Sequence, residues 1–136
     1  MSVAVGLPVE YDVVGHNYGI RPELVWAPGG RPIHGLRVAF GVLPSQENLF
    51  LPGSVGWRAR TGPEVRGHLL AGAGAEVQTF VFTDRAPDAR PSLYLELGGG
   101  WSASDRVDLG ALVVPELAPF GVPGIGLGLR LAAWVR

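Results

Sequence analysis

The chain has 136 residues, 12 acidic and 11 basic side chains and a net charge of −1. Its length fits one domain, and its near-neutral charge removes the electrostatic basis for nucleic-acid binding. Without cysteine, neither a disulfide framework nor a thiolate metal site can form.

Alternation with period two, the mark of a strand between an apolar and a polar medium, predicts eight strands. Residues 3–13 place Val3, Val5, Leu7, Val9 and Tyr11 on one register, with Gly6, Glu10 and Asp12 on the other. Residues 19–27 set Ile20, Pro22, Leu24 and Trp26 against Arg21 and Glu23. Residues 33–43 set Leu36, Val38, Phe40 and Val42 against Arg37, and residues 54–61 set Val55, Trp57 and Ala59 against Arg58 and Arg60. In 65–82 the apolar register runs Leu69, Ala71, Ala73, Ala75, Val77, Thr79, Val81, opposed by Arg66, His68, Glu76 and Gln78. Residues 92–103 carry Leu93, Leu95 and Leu97 against Tyr94 and Glu96, and residues 107–115 carry Val107, Leu109, Ala111 and Val113 against Asp108. The last strand, 123–135, alternates Ile125, Leu127, Leu129, Leu131, Ala133 and Val135 with Gly126, Gly128, Arg130, Ala132 and Trp134.

The connections alternate in kind. Residues 28–32, 61–64 and 102–106 read as short turns, whereas 44–53, 83–91 and 116–122 read as longer loops; the first, 15–18, is short. Short turns at one end and longer loops at the other are the habit of up-and-down membrane barrels with both termini at the turn end. All four tryptophans, Trp26, Trp57, Trp101 and Trp134, fall toward the turn end. Tyr11, Tyr18, Phe40, Phe50, Phe80, Phe82, Tyr94 and Phe120 fall toward the loops. Two aromatic belts around an aliphatic band match a bilayer with two interfaces. The expected interfacial aromatics are Tyr11, Trp26, Phe40, Trp57, Trp101 and Trp134.

The apolar register contains no charge, as lipid would enforce: an Arg at the bilayer midplane costs about 2–4 kcal/mol. The other register holds Glu10, Asp12, Glu23, Glu76, Glu96 and Asp108 against Arg21, Arg37, Arg58, Arg60, Arg66 and Arg130. All eleven cations are Arg, the residue suited to buried, bidentate ion pairing. Glycines 6, 41, 56, 72, 74, 98, 100, 110, 126 and 128 leave room for these side chains. The reading is therefore a lumen plugged by a paired Arg/carboxylate network, without an open pore, since eight strands enclose only enough space for side chains. The opposite orientation, a soluble lipocalin-like barrel binding a small apolar ligand, would crowd a similar lumen with apolar side chains and leave a glycine-rich exterior.

Candidate chemistry is sparse. His16, His34 and His68 show no metal-ligand spacing, so no metal site and no cofactor is expected. A lipid hydrolase needs Ser, His and a carboxylate together; Ser54, Ser92, Ser102 and Ser104 are available but none stands near a histidine in sequence. Glu76 and Glu96 read as salt-bridged residues before they read as an acid/base pair. Gly98-Gly99-Gly100 reads as a strand bend, with no helix or Lys following it. Phe50, flanked by Leu49 and Leu51, is expected to fold over the barrel mouth.

The alternating strands, aromatic ends and loop asymmetry resemble the small eight-stranded outer-membrane barrels, the class of OmpA-type transmembrane domains. Residues 127–134, Leu-Gly-Leu-Arg-Leu-Ala-Ala-Trp, are similar to the C-terminal signal read by the barrel-assembly machinery, although that signal usually ends on the aromatic and here Val135 and Arg136 follow. The resemblance implies a monomeric antiparallel barrel in a bacterial outer membrane, with the bilayer and that machinery as partners. The implied role is structural or interactive and not enzymatic, with a membrane lipid hydrolase as a further alternative. Residues 1–5 lack a basic region followed by an apolar core, so an exported form is expected to have lost its signal peptide.

Overall fold

The computed structural model describes residues 2–13, 16–28, 34–61, 66–104, 106–117 and 124–135, with the backbone alone at 115–117, 124, 126, 130, 134 and 135. The strands are β1 (Ser2–Asp12), β2 (Tyr18–Ile20), β3 (Glu23–Ala27), β4 (His34–Phe40), β5 (Leu43–Pro44), β6 (Asn48–Arg60), β7 (Gly67–Phe82), β8 (Asp88–Ser104), β9 (Val107–Leu117) and β10 (Gly124–Val135). All pairings are antiparallel, in the order β10-β9-β8-β7-β6-β4-β3-β1 with β2 also on β1 and β5 also on β6, and β1 pairs with β10 over Val3↔Val135 to Asp12↔Gly126, which closes the sheet. The structure is an up-and-down β-barrel without a free edge.

Ten segments form eight staves. β2 and β3 continue one another along β1: the register is Val9↔Ile20 on one side of the gap and Gly6↔Glu23 on the other, with no slip. Pro8 and Pro22 fall in that gap, and neither has an N–H to give the ladder; Arg21 N donates to Pro8 O (2.9 Å) without a return bond from Pro8. β4 and β5 are likewise one stave along β6. Gly41 N donates to Pro52 O (2.7 Å), and Pro52 has no N–H to return. The bridge Ile20↔Val42 ties the two interrupted staves together.

Two strands are longer than the alternation suggests. Residues 48–53 were expected in a loop, yet they pair with β7 from Asn48↔Phe82 to Gly53↔Val77. Residues 88–91 pair with β7 as far as Phe80↔Asp88. The presumed long third loop shrinks to Ser45–Glu47, where Ser45 Oγ accepts from Glu47 N and Asn48 N at 3.3 and 3.2 Å. Phe50 accordingly sits in β6, buried and stacked on Phe80 with ring centroids 4.7 Å apart. The turns 29–33 and 62–65, and 118–123 with Phe120, lie outside the described residues.

The exterior is apolar. Leu69 and Leu129 are each 70% exposed, and Val5, Leu24, Val38, Leu97 and Leu131 are about half exposed. The interior holds Glu10, Arg21, Glu23, Arg37, Arg58, Glu76, Glu96 and Asp108, all buried, beside an apolar cluster of Leu70, Tyr94, Leu112 and Val114. A soluble barrel distributes its side chains the other way, so the lipocalin-like alternative is overturned by the facing of the two registers. Tyr11, Trp26, Phe40, Trp57 and Trp101 are exposed on the outer wall; the Trp134 side chain lies outside the described residues. The loop-end belt is thinner than expected, because Phe50 and Tyr94 are buried and Phe80 and Phe82 half-buried.

Candidate functional site: the charged interior

The same alternation that keeps charge off the outer wall stacks the charged residues of successive strands within reach of one another. Each long side chain also stands beside a small residue on a neighbouring strand. Arg58 pairs across to Gly35 and Gly72, Arg37 to Gly56, Glu23 to Gly6 and Ala39, Glu96 to Gly72, and Glu10 to Gly19 and Gly128. The absent side chains provide the space. A Cβ placed on Gly72 would lie 2.8 Å from Glu96 Cγ, and one on Gly56 would lie 2.8 Å from Gly74 Cα and against Tyr94 Oη.

Arg58 lies at the centre. Its Nη1 and Nη2 donate to Glu23 Oε1 and Oε2 at 2.6 and 2.8 Å, and its Nε and Nη2 donate to Glu96 Oε1 and Oε2 at 2.6 and 2.9 Å. One guanidinium thus grips two carboxylates, each through two bonds, the strongest common geometry for this pairing. Arg37 joins the same cluster, with Nε 2.8 Å from Glu23 Oε2 and 3.7 Å from Glu96 Oε2. Its Nη1 donates to Tyr94 Oη (3.3 Å) and to Ser54 Oγ (3.1 Å), and its guanidinium carbon lies 5.6 Å from the Tyr94 ring centroid.

Ser54 is the hinge of the arrangement. Its hydroxyl also accepts from Arg21 Nη2 at 3.0 Å. Arg21 in turn pairs with Glu10 at 3.3 Å and with Glu76. Glu10, Arg21, Glu76, Ser54, Arg37, Tyr94, Glu23, Arg58 and Glu96 therefore form one connected set drawn from six staves. A separate pair, Arg60 with Asp108, lies nearer the turn end, where Ser102 Oγ donates to Asp108 Oδ1 at 2.7 Å.

The remaining expected lumen residues fall differently. Asp12 is half-buried at the last position of β1. Arg66 is a correction: it is exposed in the bend before β7, because the charged register continues past the strand end but the enclosed interior does not. The Arg130 side chain lies outside the described residues. Sequence reading set Ser54 aside as a possible nucleophile and missed its bridging role, although its register, two residues before Gly56 and four before Arg58, already puts it on the charged face.

The hydroxyls of the four candidate serines are engaged: Ser54 by two arginines, Ser102 by Asp108, Ser92 with Leu93 O at 3.2 Å and Ser104 by the Arg106 N–H at 3.2 Å. His16, at a positive φ of 53°, is hydrogen-bonded through Nδ1 to Tyr11 Oη at 2.7 Å. Among the described residues no group of three or more His, Cys, Asp or Glu side chains could hold a metal ion.

No protein-family model and no curated protein sequence matches the chain. Solved structures do match it in shape. The N-terminal β-barrel domain of Pseudomonas aeruginosa OprF superposes with a TM-score of 0.81 at 13% identity, over 98% of this chain and 97% of that one. The Yersinia pestis outer-membrane protein Ail in a phospholipid bilayer nanodisc gives 0.64 at 11% identity, over 98% and 99%. The outer-membrane enzyme PagL gives 0.53 at 10% identity, over 99% of each chain. With its closed antiparallel sheet, apolar exterior and charged interior, the chain has the fold of the small eight-stranded outer-membrane β-barrels.

Proposed function

We propose that this chain is a bacterial outer-membrane barrel with a structural or interaction role, in which the Arg/carboxylate network plugs the lumen and leaves no open pore. The observation that carries this reading is the continuity of the buried set from Glu10 to Glu96, with Arg21, Arg37 and Arg58 each between two carboxylates. A charge out of water costs several kcal/mol unless paired. Separating these pairs to admit water and ions would therefore oppose the barrel's own stability. The barrel acts as a monomer inserted by the barrel-assembly machinery, with its outer wall solvated by lipid. An enzymatic role gains little from the PagL likeness, since the serine hydroxyls are already engaged by arginines, Asp108 and backbone.

The test is refolding with and without detergent, gel mobility before and after boiling, and conductance of the refolded protein in a planar bilayer. The expected result is a detergent-requiring species with shifted mobility and no steady current. Discrete, steady current steps would overturn the plug, and a monomer that folds without detergent would overturn the membrane placement.

A further inference from the structure

The arginines fall into two groups. Among the described residues, Arg21, Arg37, Arg58 and Arg60 are ion-paired in the interior, Arg90 pairs with Asp88 at 2.6 Å, and Arg85 lies over the Phe82 ring at 3.7 Å. Arg66 and Arg106 are exposed and have no ion-pair or ring partner among the described residues. Both lie at the tryptophan end. Arg66 O accepts from Ser102 N at 2.7 Å, which fixes the bend before β7 against the end of β8, and Arg106 follows β8 in the turn to β9. Trp101, half exposed, pairs with Gly67 beside Arg66.

The outer wall just above these cations is grooved. Ala59, Leu69, Ala71 and Leu97, with Thr61 at one end, line a shallow apolar depression of about 500 Å³. Trp57 and Trp101 stand on β6 and β8, the strands on either side of β7. An apolar depression on a lipid-facing wall, on the strands that carry an exposed interfacial tryptophan and near two exposed guanidinium groups without an ion-pair partner among the described residues, matches a molecule with an acyl chain and an anionic headgroup. Arg reads phosphate through paired N–H donors, and basic residues at a membrane surface attract anionic lipid by about 1 kcal/mol each, roughly fivefold in association.

We infer that the tryptophan rim binds an anionic phospholipid, with Arg66 and Arg106 on its phosphodiester and an acyl chain lying over Ala59 and Ala71. This rests on the membrane placement proposed above. The test exploits the exposed Trp26, Trp57 and Trp101 at this end. Protein is inserted into phosphatidylcholine vesicles containing a minor fraction of phosphatidylglycerol, with the brominated chains on one lipid or the other, and tryptophan quenching is compared.

Brominated phosphatidylglycerol is expected to quench beyond its mole fraction. The excess should fall about fivefold in each of Arg66→Gln and Arg106→Gln, survive in Arg66→Lys, and be unchanged in Arg90→Gln at the opposite rim. Equal quenching by both lipids, or an excess that survives Arg66→Gln/Arg106→Gln, overturns the proposal. Loss of the excess on adding inorganic phosphate, but not chloride at equal ionic strength, would reassign the site to free phosphate and overturn it as a lipid site. A protein that inserts in neither mixture would instead overturn the membrane placement.

Discussion

Arg58 and Glu96 face each other side-on, Nε to Oε1 at 2.6 Å and Nη2 to Oε2 at 2.9 Å, while the same guanidinium holds Glu23 from its other edge. Both side chains are almost completely buried, at 5% and 1% exposure. The pair spans β6 and β8 across the glycine at position 72 on the intervening strand. It therefore links staves that share no backbone hydrogen bonds, and its energetic weight should be visible in the stability of the whole barrel.

Arg58→Met is expected to destabilise the barrel by about 3–5 kcal/mol, since it leaves Glu23 and Glu96 as buried charges without their main partner. Urea unfolding from detergent micelles, followed by gel mobility, reads this directly. Adding Glu96→Gln to Arg58→Met should restore part of the loss, with a coupling energy of about 0.5–3 kcal/mol. Strict additivity of the two substitutions would mean that the contact carries no net interaction.

Ser54→Ala tests whether the two halves of the interior act as one. Its hydroxyl accepts from both Arg21 and Arg37, so its removal strips a partner from two buried cations at once. The expected cost is about 1–3 kcal/mol, large for the loss of a single oxygen. A change below about 0.5 kcal/mol, typical of a site away from such features, would show that Arg21 and Arg37 are sufficiently held by their carboxylates alone.

Much of this architecture is legible in the sequence itself. Charge confined to one register through Glu10, Arg21, Arg37, Arg58, Glu76 and Glu96 specifies both the eight staves and which face points inward, because alternation in a strand maps directly onto space. The extent of β6 and β8 was hidden, since Asn48, Pro52, Asp88 and Pro91 have loop-like composition and their pairing depends on the neighbouring β7. Register parity carried Arg66 into the lumen because parity does not record where a strand ends. It placed Tyr94 correctly on the charged register, whereas grouping by aromatic type assigned that residue to a belt. Which carboxylate meets which arginine depends on the stagger between strands, and no local pattern encodes it.

Gly72→Val probes the space left for the network. The inserted side chain would begin against Glu96 and within 2.8 Å of Trp57 O, so either Glu96 leaves Arg58 or the strands separate. Overpacking of this kind costs about 1–3 kcal/mol, to which part of the Arg58 loss should add. The same substitution at Gly53, where a Cβ would find only Phe40 at 3.8 Å, is expected to be nearly neutral, and unfolding midpoints of the two variants provide the comparison. Equal costs would mean that the glycines serve the backbone and not the side chains opposite them.

The outer wall makes the final prediction, which separates burial in lipid from burial in protein. Leu95 is on the outward register midway along β8 and is 40% exposed, while Tyr18 is 61% exposed near the loop end of its stave. Neither touches the charged interior, so substituting either should leave the network intact. In a bilayer, Leu95→Arg is expected to cost about 2–4 kcal/mol and Tyr18→Arg no more than about 1 kcal/mol, because the penalty for a cation on a barrel's lipid face falls from midplane to interface. Vesicle unfolding titrations of the two variants supply the measurement. Similar, small costs at both positions would mean that Leu95 faces water, and the apolar register would then need another explanation than lipid.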